Sequence, residues 1–511
     1  MGSRDTWVRR VSERLSTYLV RTSVSPGFTS VALLICNRII GTGIFATPAL
    51  ILQSAGSVGS SLLLWLVGAC IAGAGTAVFV EFGTAIPRSG GEKNYLTFLY
   101  PRPAYLVPSA YAAYATLMGW AAGNSIICGE YILHALGVPV NSWNQRLIGA
   151  VCLTAATLLH GTSLRWGLRV QNSFATFKLV VLAAIALAGL AVLTRILKLD
   201  GDALDNFKSP FRGSNTSVNA LATGLYKVVW SFVGYANANA ALSEVKDPVK
   251  TIRRAAPLAI LTVAALYIAV NLAYFSVVPK EEMMEGGTVI AAQFFRHVLG
   301  DSAESILSLC IALSAFGAVL SVLFAHGRIN QENARDGLIP FSTVIAQTSS
   351  FRTPLAGLVV HWTACMAILI AAPPGDAYNM VINVISYPSA LVNAAISGGL
   401  IILYHPTVRE QWKWQPAFRA GLPATLFYFL GNVFLVIAPL VPPAQGTRPY
   451  KNLPYWLHVV VGIAVLIVGG IYWLFWCIIL PRIRHYSLSP TTVVQPDGQT
   501  ITIFVKRPKV D

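Results

Sequence analysis

Residues 31–53 read VALLICNRIIGTGIFATPALILQ, a run long and apolar enough to cross a bilayer but interrupted near its middle by Gly41-Thr42-Gly43. Leucine and isoleucine on either side favour continuous helix, whereas two glycines within three residues weaken that preference. In hydrocarbon, each freed backbone N–H or C=O carries a large penalty, so a break survives only where it is buried in protein or lines a wet cavity. N–H groups bared at the start of the second half-helix suit a carboxylate, and carbonyls bared at the end of the first suit an ammonium. Such a site fits a zwitterion. The rival reading is a pair of glycines that merely lets two helices pack closely, and a second break is what decides between them.

The remaining chain fits a membrane setting. Of 511 residues, 55% are hydrophobic and 11% charged, with a mean hydropathy of +0.61, whereas soluble proteins carry roughly 25% charged residues. Counting apolar runs of about 17 to 25 residues gives twelve spans, centred near residues 40, 72, 120, 153, 183, 230, 267, 315, 364, 390, 431 and 468. With the N-terminus in the cytosol, inner segments carry 25 Lys and Arg and outer segments nine, an excess that places both termini inside. The net charge of +16 is then a topology signal with anionic membrane lipid as its partner, and nucleic acid is not needed. Residues 1–27 read as a cytosolic tail without a cleavable signal, 28–404 as a ten-helix transport core, 405–480 as helices 11 and 12, and 481–511 as a second cytosolic tail. In that last tail two β-prone runs flank Pro496-Asp497-Gly498, which suits a hairpin or an unordered end. Residues 279–301, with Glu281, Glu282, Glu285 and Asp301 around Gly286-Gly287, read as an outer loop and candidate lid. Asn215-Thr216-Ser217 is a glycosylation sequon, used or unused. The seven cysteines lie in apolar segments without a Cys-x-x-Cys pair, so packing thiols are expected rather than a disulfide or zinc framework. No His–carboxylate cluster or metal-ligand spacing occurs, which ranks an embedded enzyme last and leaves no metal or cofactor to expect.

A second break follows in residues 222–248, ATGLYKVVWSFVGYANANAALSEVKDP. Its core, Gly234-Tyr235-Ala236-Asn237-Ala238-Asn239, is too polar and helix-poor for a lipid-facing helix, and Asn237 and Asn239 can satisfy freed backbone groups or a ligand. This sixth span opens a second group of five as the first span opens the first, and five spans per group invert one relative to the other. Paired interrupted segments at corresponding positions of inverted halves point to a midplane site in a secondary transporter. The packing-only reading recedes.

Four ordered motifs carry a family resemblance. Arg38-Ile39-Ile40-Gly41-Thr42-Gly43-Ile44-Phe45 with Thr47-Pro48, Glu81-Phe82-Gly83-Thr84-Ala85-Ile86-Pro87 with Ser89-Gly90-Gly91-Glu92, Leu242-Ser243-Glu244 with Asp247-Pro248, and Ala334-Arg335-Asp336-Gly337-Leu338-Ile339-Pro340 resemble the L-type amino acid transporters of the amino acid–polyamine–organocation superfamily. Asn37-Arg38 before the Gly-Thr-Gly further resembles the fungal high-affinity methionine permeases. The resemblance covers about residues 28 to 480. It implies an all-α membrane protein of twelve transmembrane helices in the leucine-transporter fold, a 5+5 inverted repeat with helices 1 and 6 broken. It also implies that substrate carboxylate meets the N–H groups of Thr42, Gly43 and Ile44. Substrate ammonium would meet carbonyls of Ile39, Ile40, Trp230, Ser231 and Val233, with Trp230 as a gating aromatic over the substrate or else a packing residue. The sixth helix of that family often carries a Gly-Gly pair before its aromatic; here the pair is Val233-Gly234, which leaves the side-chain pocket open.

Lysine is costly within a span unless it snorkels or faces an interior. Lys178, in NSFATFKLVVLAAI about five residues into span five, matches the position where a lysine replaces sodium in the resembling family. It is a structural stand-in, a proton carrier used in coupling, or a snorkelling side chain. Arg38 and Glu81 lie at comparable depth in spans one and two, which suggests an inner ion pair. Glu130 lacks an obvious partner in the sequence, and Lys227 lines an outer vestibule or snorkels. The expectation is a plasma-membrane permease importing neutral L-amino acids, methionine first, by proton-coupled alternating access. Its rivals are a sodium-independent exchanger or facilitator and a transporter-like nutrient sensor. The loop 137–145 has no cysteine, so no disulfide-linked heavy subunit is expected.

Overall fold

The computed structural model describes residues 27–197, 203–286, 289–351, 353–373, 375–443, 449–450, 452–494 and 500–508. The tail reading of residues 1–27 and the Gly287 end of the candidate lid therefore lie outside the described residues, save Gly27. The first predicted span forms α1 (Phe28–Ile39) and α2 (Gly43–Ala55), bent by 40° at the Gly41-Thr42 break. Then come α3 (Val58–Ala85), short α4 (Glu92–Leu99), α5 (Leu106–Leu117), α6 (Ala122–Ala135), α7 (Ser142–Thr162) and α8 (Leu164–Leu193). After these run α9 (Val218–Ser231), α10 (Pro248–Val277), the short α11 (Lys280–Gly286) and α12 (Ile290–Leu299), and the long α13 (Asp301–Arg335). The last membrane-type helices are α14 (Leu355–Ala371), α15 (Ala377–Leu403), α16 (Leu422–Ile437) and α17 (Leu457–Trp473).

Among the described residues, seven helices are long and apolar enough to cross a membrane, and the bent α1–α2 pair makes an eighth candidate span. The chain is a multi-pass helical membrane protein. Each of the twelve predicted centres falls within a helix or at a break between two. Burial orders the bundle: 78% of the apolar window of α13 is buried, against 6% for Leu457–Ile483, so α13 is central and α17 peripheral.

Span three departs from a simple crossing, because α5 and α6 are separated at residues 118–121. A Cβ on Gly119 would lie 2.9 Å from Cys365 Cα on α14, so backbone approaches backbone there and only glycine fits. The C-terminal runs pair antiparallel, β1 (Tyr486–Val494) with β2 (Thr500–Pro508), while Pro496-Asp497-Gly498 lies outside the described residues, and Phe504 packs on Tyr105 at α5's entry with ring centroids 5.1 Å apart. The cysteines are all free. Cys36, Cys128 and Cys365 are buried, but Cys70 is exposed on α3, so packing does not account for every thiol.

Candidate functional site

At the first break, Ile40 leaves the helix (φ −72°, ψ 88°) while its N–H still donates to Cys36 O at 2.8 Å. The chain turns through Gly41 and Thr42, and Thr42 O accepts from Ala46 N at 2.8 Å to start α2. As at any helix start, the leading N–H groups have no intrahelical acceptor, and among the described residues those of Gly43 and Ile44 have no backbone acceptor either. Thr42 is anchored instead by its side chain, which donates to Asn124 Oδ1 on α6 at 2.9 Å and lies 3.1 Å from Tyr378 Oη on α15. Thr42 N is 3.5 Å from the same Asn124 oxygen.

The second break is asymmetric. After α9 the chain makes a turn with Gly234 at φ +128°, then a 3-10 segment Asn237–Glu244 in place of a second α-helix. Asn237 N donates to Gly234 O at 2.9 Å, and Asn239 Nδ2 reaches Phe79 O on α3 at 3.4 Å. The Asn237 Nδ2 and Asn239 Oδ1 atoms are buried without a partner.

The two breaks touch. A Cβ on Gly43 would sit 2.6 Å from Ser231 Cα, and one on Gly234 2.4 Å from Arg38 Cγ. Thr47 Oγ1 lies 3.0 Å from Ser231 Oγ. Tyr267 of α10 reaches both breaks with one hydroxyl, 2.9 Å from Ile39 O and 3.2 Å from Ser231 O. Its ring is fixed edge-on against Trp65, with centroids 5.6 Å apart, and tilted against Phe232 at 5.1 Å.

Lys178 is fully buried and donates to Asn37 O at 3.2 Å and Ile40 O at 2.7 Å. Because α8 begins at Leu164, the lysine sits well inside the helix rather than near its end, and the snorkelling alternative falls away. Lys227 does not snorkel or line a vestibule; it is buried and donates to Leu50 O and Ser54 Oγ, each at 3.3 Å, tying α9 to the end of α2. The expected Arg38–Glu81 pair is absent. Glu81 accepts instead from Tyr404 Oη at 2.7 Å, Ala420 N at 2.8 Å and Trp414 Nε1 at 3.1 Å, three donors that satisfy the carboxylate without a cation. An ion pair does form elsewhere: Lys93 of α4 meets Asp336 at the end of α13. Beside it Glu92 accepts from Tyr111 Oη at 2.9 Å, and burial pushes its carboxyl above the ordinary range. Glu130 accepts from Gln145 Nε2 at 3.2 Å.

Of the carbonyls expected to face an ammonium, Ile40 O already accepts from Lys178, and Ile39 O and Ser231 O from Tyr267. Trp230 O accepts from Val233 N at 3.0 Å. Each carbonyl retains a second lone pair. Trp230 is 6% exposed and packs beside Gly123, where Tyr378 and Val381 also converge. Asn124, Tyr267 and Tyr378 were not singled out from sequence; the only signal was a polar atom within an apolar segment.

Comparison with known proteins gives a consistent result. A family model described as amino acid permease matches residues 27–475. The chain is 42% identical over 487 residues to the high-affinity methionine permease of Saccharomyces cerevisiae, covering 95% of this chain and 85% of that one. It is 30% identical to the low-affinity methionine permease of the same yeast, covering 94% and 88%. With the b(0,+)-type amino acid transporter 1 of Mus musculus it shares 29% identity over 83% of this chain and 85% of the other.

Proposed function

The chain belongs to the amino acid permease family and is an amino acid transporter rather than an enzyme, and on that premise we propose that it imports neutral L-amino acids, methionine first, by proton-coupled alternating access at the plasma membrane. Twelve spans in the leucine-transporter fold, with both termini cytosolic, form the frame of this reading. The observation that carries it is the contact of the two breaks through Gly43 and Ser231. The unclaimed N–H groups of Gly43 and Ile44, with Thr42 beside them, receive the carboxylate at a helix N-terminus. The ammonium meets the remaining lone pairs of Ile39, Ile40, Trp230, Ser231 and Val233. Gly234, Asn237 and Asn239 keep helix 6 open, and Trp230 gates the space next to Gly123 and Tyr378.

The coupling role falls to Lys178. Its ammonium holds two carbonyls of the first break, a task for which a bound sodium would otherwise be suited, and loss of its proton would release them. Relatives named as methionine permeases support the substrate choice. The loop 137–145 offers no cysteine to a heavy subunit, which favours a stand-alone permease.

Purified protein in liposomes tests the proposal. Labelled methionine should accumulate under an inward proton gradient, and unlabelled neutral amino acids should compete while lysine and glutamate do not. Accumulation only against preloaded amino acid would replace symport by exchange, and binding without flux would replace transport by sensing.

A further inference from the structure

Helices α13 and α14 bring two histidines face to face inside the bundle. The rings of His326 and His361 stack with centroids 4.8 Å apart and planes 16° from parallel, and Trp120, at the break between α5 and α6, covers the other face of His326 at 4.9 Å. Both are buried, at 6% and 0% exposure, and the Nδ1 atom of each has no hydrogen-bond partner. His361 Nε2 lies 3.4 Å from Cys365 Sγ, one turn along α14. Among the described residues no carboxylate hydrogen-bonds or pairs with either ring.

The groups around the pair are cationic or neutral. Arg38, from α1, is within electrostatic reach of both rings. Arg328, on α13, lies over Phe324, at 3.8 Å from its ring centre, and within reach of His160 on α7. Tyr114, on α5, packs edge-on against Trp120 at 5.4 Å. Lys178, on α8, interacts with Arg38 and holds the carbonyls of Asn37 and Ile40 on either side of it.

A stack that served packing alone would be met by phenylalanine, which leaves no buried nitrogen unpaired. Two orphaned ring nitrogens in one contact are a cost that asks for a compensating use. Stacked imidazoles repel once both are charged, so the pair holds at most one proton. Taking the proton-coupled reading as given, we propose that His326 and His361 form a proton-binding site that is loaded and emptied during the transport cycle.

The proton enters on a free ring nitrogen of one imidazole and leaves from it, with no other bond made or broken. Arg38 sets when this happens. Its charge opposes protonation while it stays near the pair. Arg38 is joined to Asn37, whose carbonyl Lys178 holds, so the place of its charge follows the first break. Movement of the break therefore changes the proton affinity of the rings. For import, the conformation that draws Arg38 away and loads the pair is the outward-facing one, and its return discharges the proton toward the cytosol.

The experiment uses the full-length protein in liposomes with labelled methionine as probe, in two modes: accumulation driven by an inward proton gradient, and exchange against internal methionine at equal pH. His361→Phe keeps the stack without a titratable nitrogen, and His326→Gln is the second variant. Both should lose gradient-driven accumulation and the accompanying proton influx read by an internal pH dye, while exchange persists. Retention of wild-type gradient response in both variants overturns the proposal. So does loss of both modes in a variant that elutes as a normal monodisperse protein, since that outcome marks the pair as packing. A wild-type protein without gradient response instead overturns the coupled reading beneath it.

Discussion

Gly43→Ala is the sharpest test of the site. The added methyl would stand 2.6 Å from Ser231 Cα, 2.6 Å from Ser231 Oγ and 2.7 Å from Ser231 Cβ. Carbon atoms rest at about 3.5–4.0 Å, so the Ser231 backbone must retreat by about 1 Å. It cannot do so by a rotamer change, because the nearest atom belongs to the main chain. Overpacking of this kind costs about 1–3 kcal/mol. Were all of it expressed as lost affinity, methionine would bind about 5- to 150-fold more weakly.

Two controls set the scale. Gly41→Ala meets Ala318 Cβ and Asn124 Oδ1, both at 3.3 Å, with Ile39 O at 3.9 Å, and Gly73→Ala on α3 meets nothing within 4 Å. The expected order of affinity is wild type and Gly73→Ala together, then Gly41→Ala, then Gly43→Ala, measured by labelled-methionine binding to purified protein matched for monodispersity. Adding Ser231→Gly removes Cβ and Oγ but leaves Cα in the way, so rescue should be partial. Unchanged affinity in Gly43→Ala would refute the close meeting of the breaks as the basis of the site.

The other expectations are briefer. Lys178→Met strands the carbonyls of Asn37 and Ile40 at a cost of about 1–3 kcal/mol each and should abolish proton-driven uptake; a wild-type pH-gradient response would remove Lys178 from coupling. Tyr267→Phe deletes the hydroxyl that links Ile39 O to Ser231 O and should raise KM for methionine with little loss of expression, whereas a normal KM would make that hydroxyl incidental. Trp230→Ala should weaken affinity or speed substrate escape, and wild-type kinetics would leave it a packing residue. Burial raises the folded-state Glu92 carboxyl, so the folded chain keeps that proton to higher pH than the unfolded chain. The contribution of this group to stability is present at low pH and lost as pH rises through its folded-state value. Glu92→Gln should flatten that fall in a series of melting temperatures against pH, and an unchanged slope would discount the shift.

What the sequence disclosed and what it hid have different physical grounds. Gly41-Thr42-Gly43, Gly234 with its two asparagines, and Lys178 all violate the apolar rule of a span, so they stand out without knowledge of neighbours. Depth along a span, by contrast, does not fix direction around it. Arg38 and Glu81 share a depth, yet Glu81 is satisfied from Tyr404, Trp414 and Ala420, each more than 300 residues away, and Arg38 lies over Gly234 instead. Tyr267 was hidden because tyrosine is common in apolar segments and its hydroxyl matters only through where two distant carbonyls fall. The break at residues 118–121 was hidden because a single glycine there gives no more signal than any packing glycine, and the Cys365 backbone of α14 that Gly119 admits lies far along the chain.

These contacts bear on how the site can work. A broken helix would close into a regular one if its freed carbonyls had no partners, and a substrate would then have to open it at the expense of its own binding energy. Here the protein's own groups, Lys178 and Tyr267, hold Asn37 O, Ile39 O, Ile40 O and Ser231 O. With those carbonyls partnered by protein, the binding energy of the zwitterion is left for moving the gate rather than for making the site. Lys178→Met and Tyr267→Phe should then differ in kind. The tyrosine variant loosens one tie between the breaks and is felt in affinity. The lysine variant removes the cation that keeps helix 1 open, so methionine must reopen the break at the expense of its own binding energy, and weaker binding together with loss of net uptake is the pattern this arrangement requires.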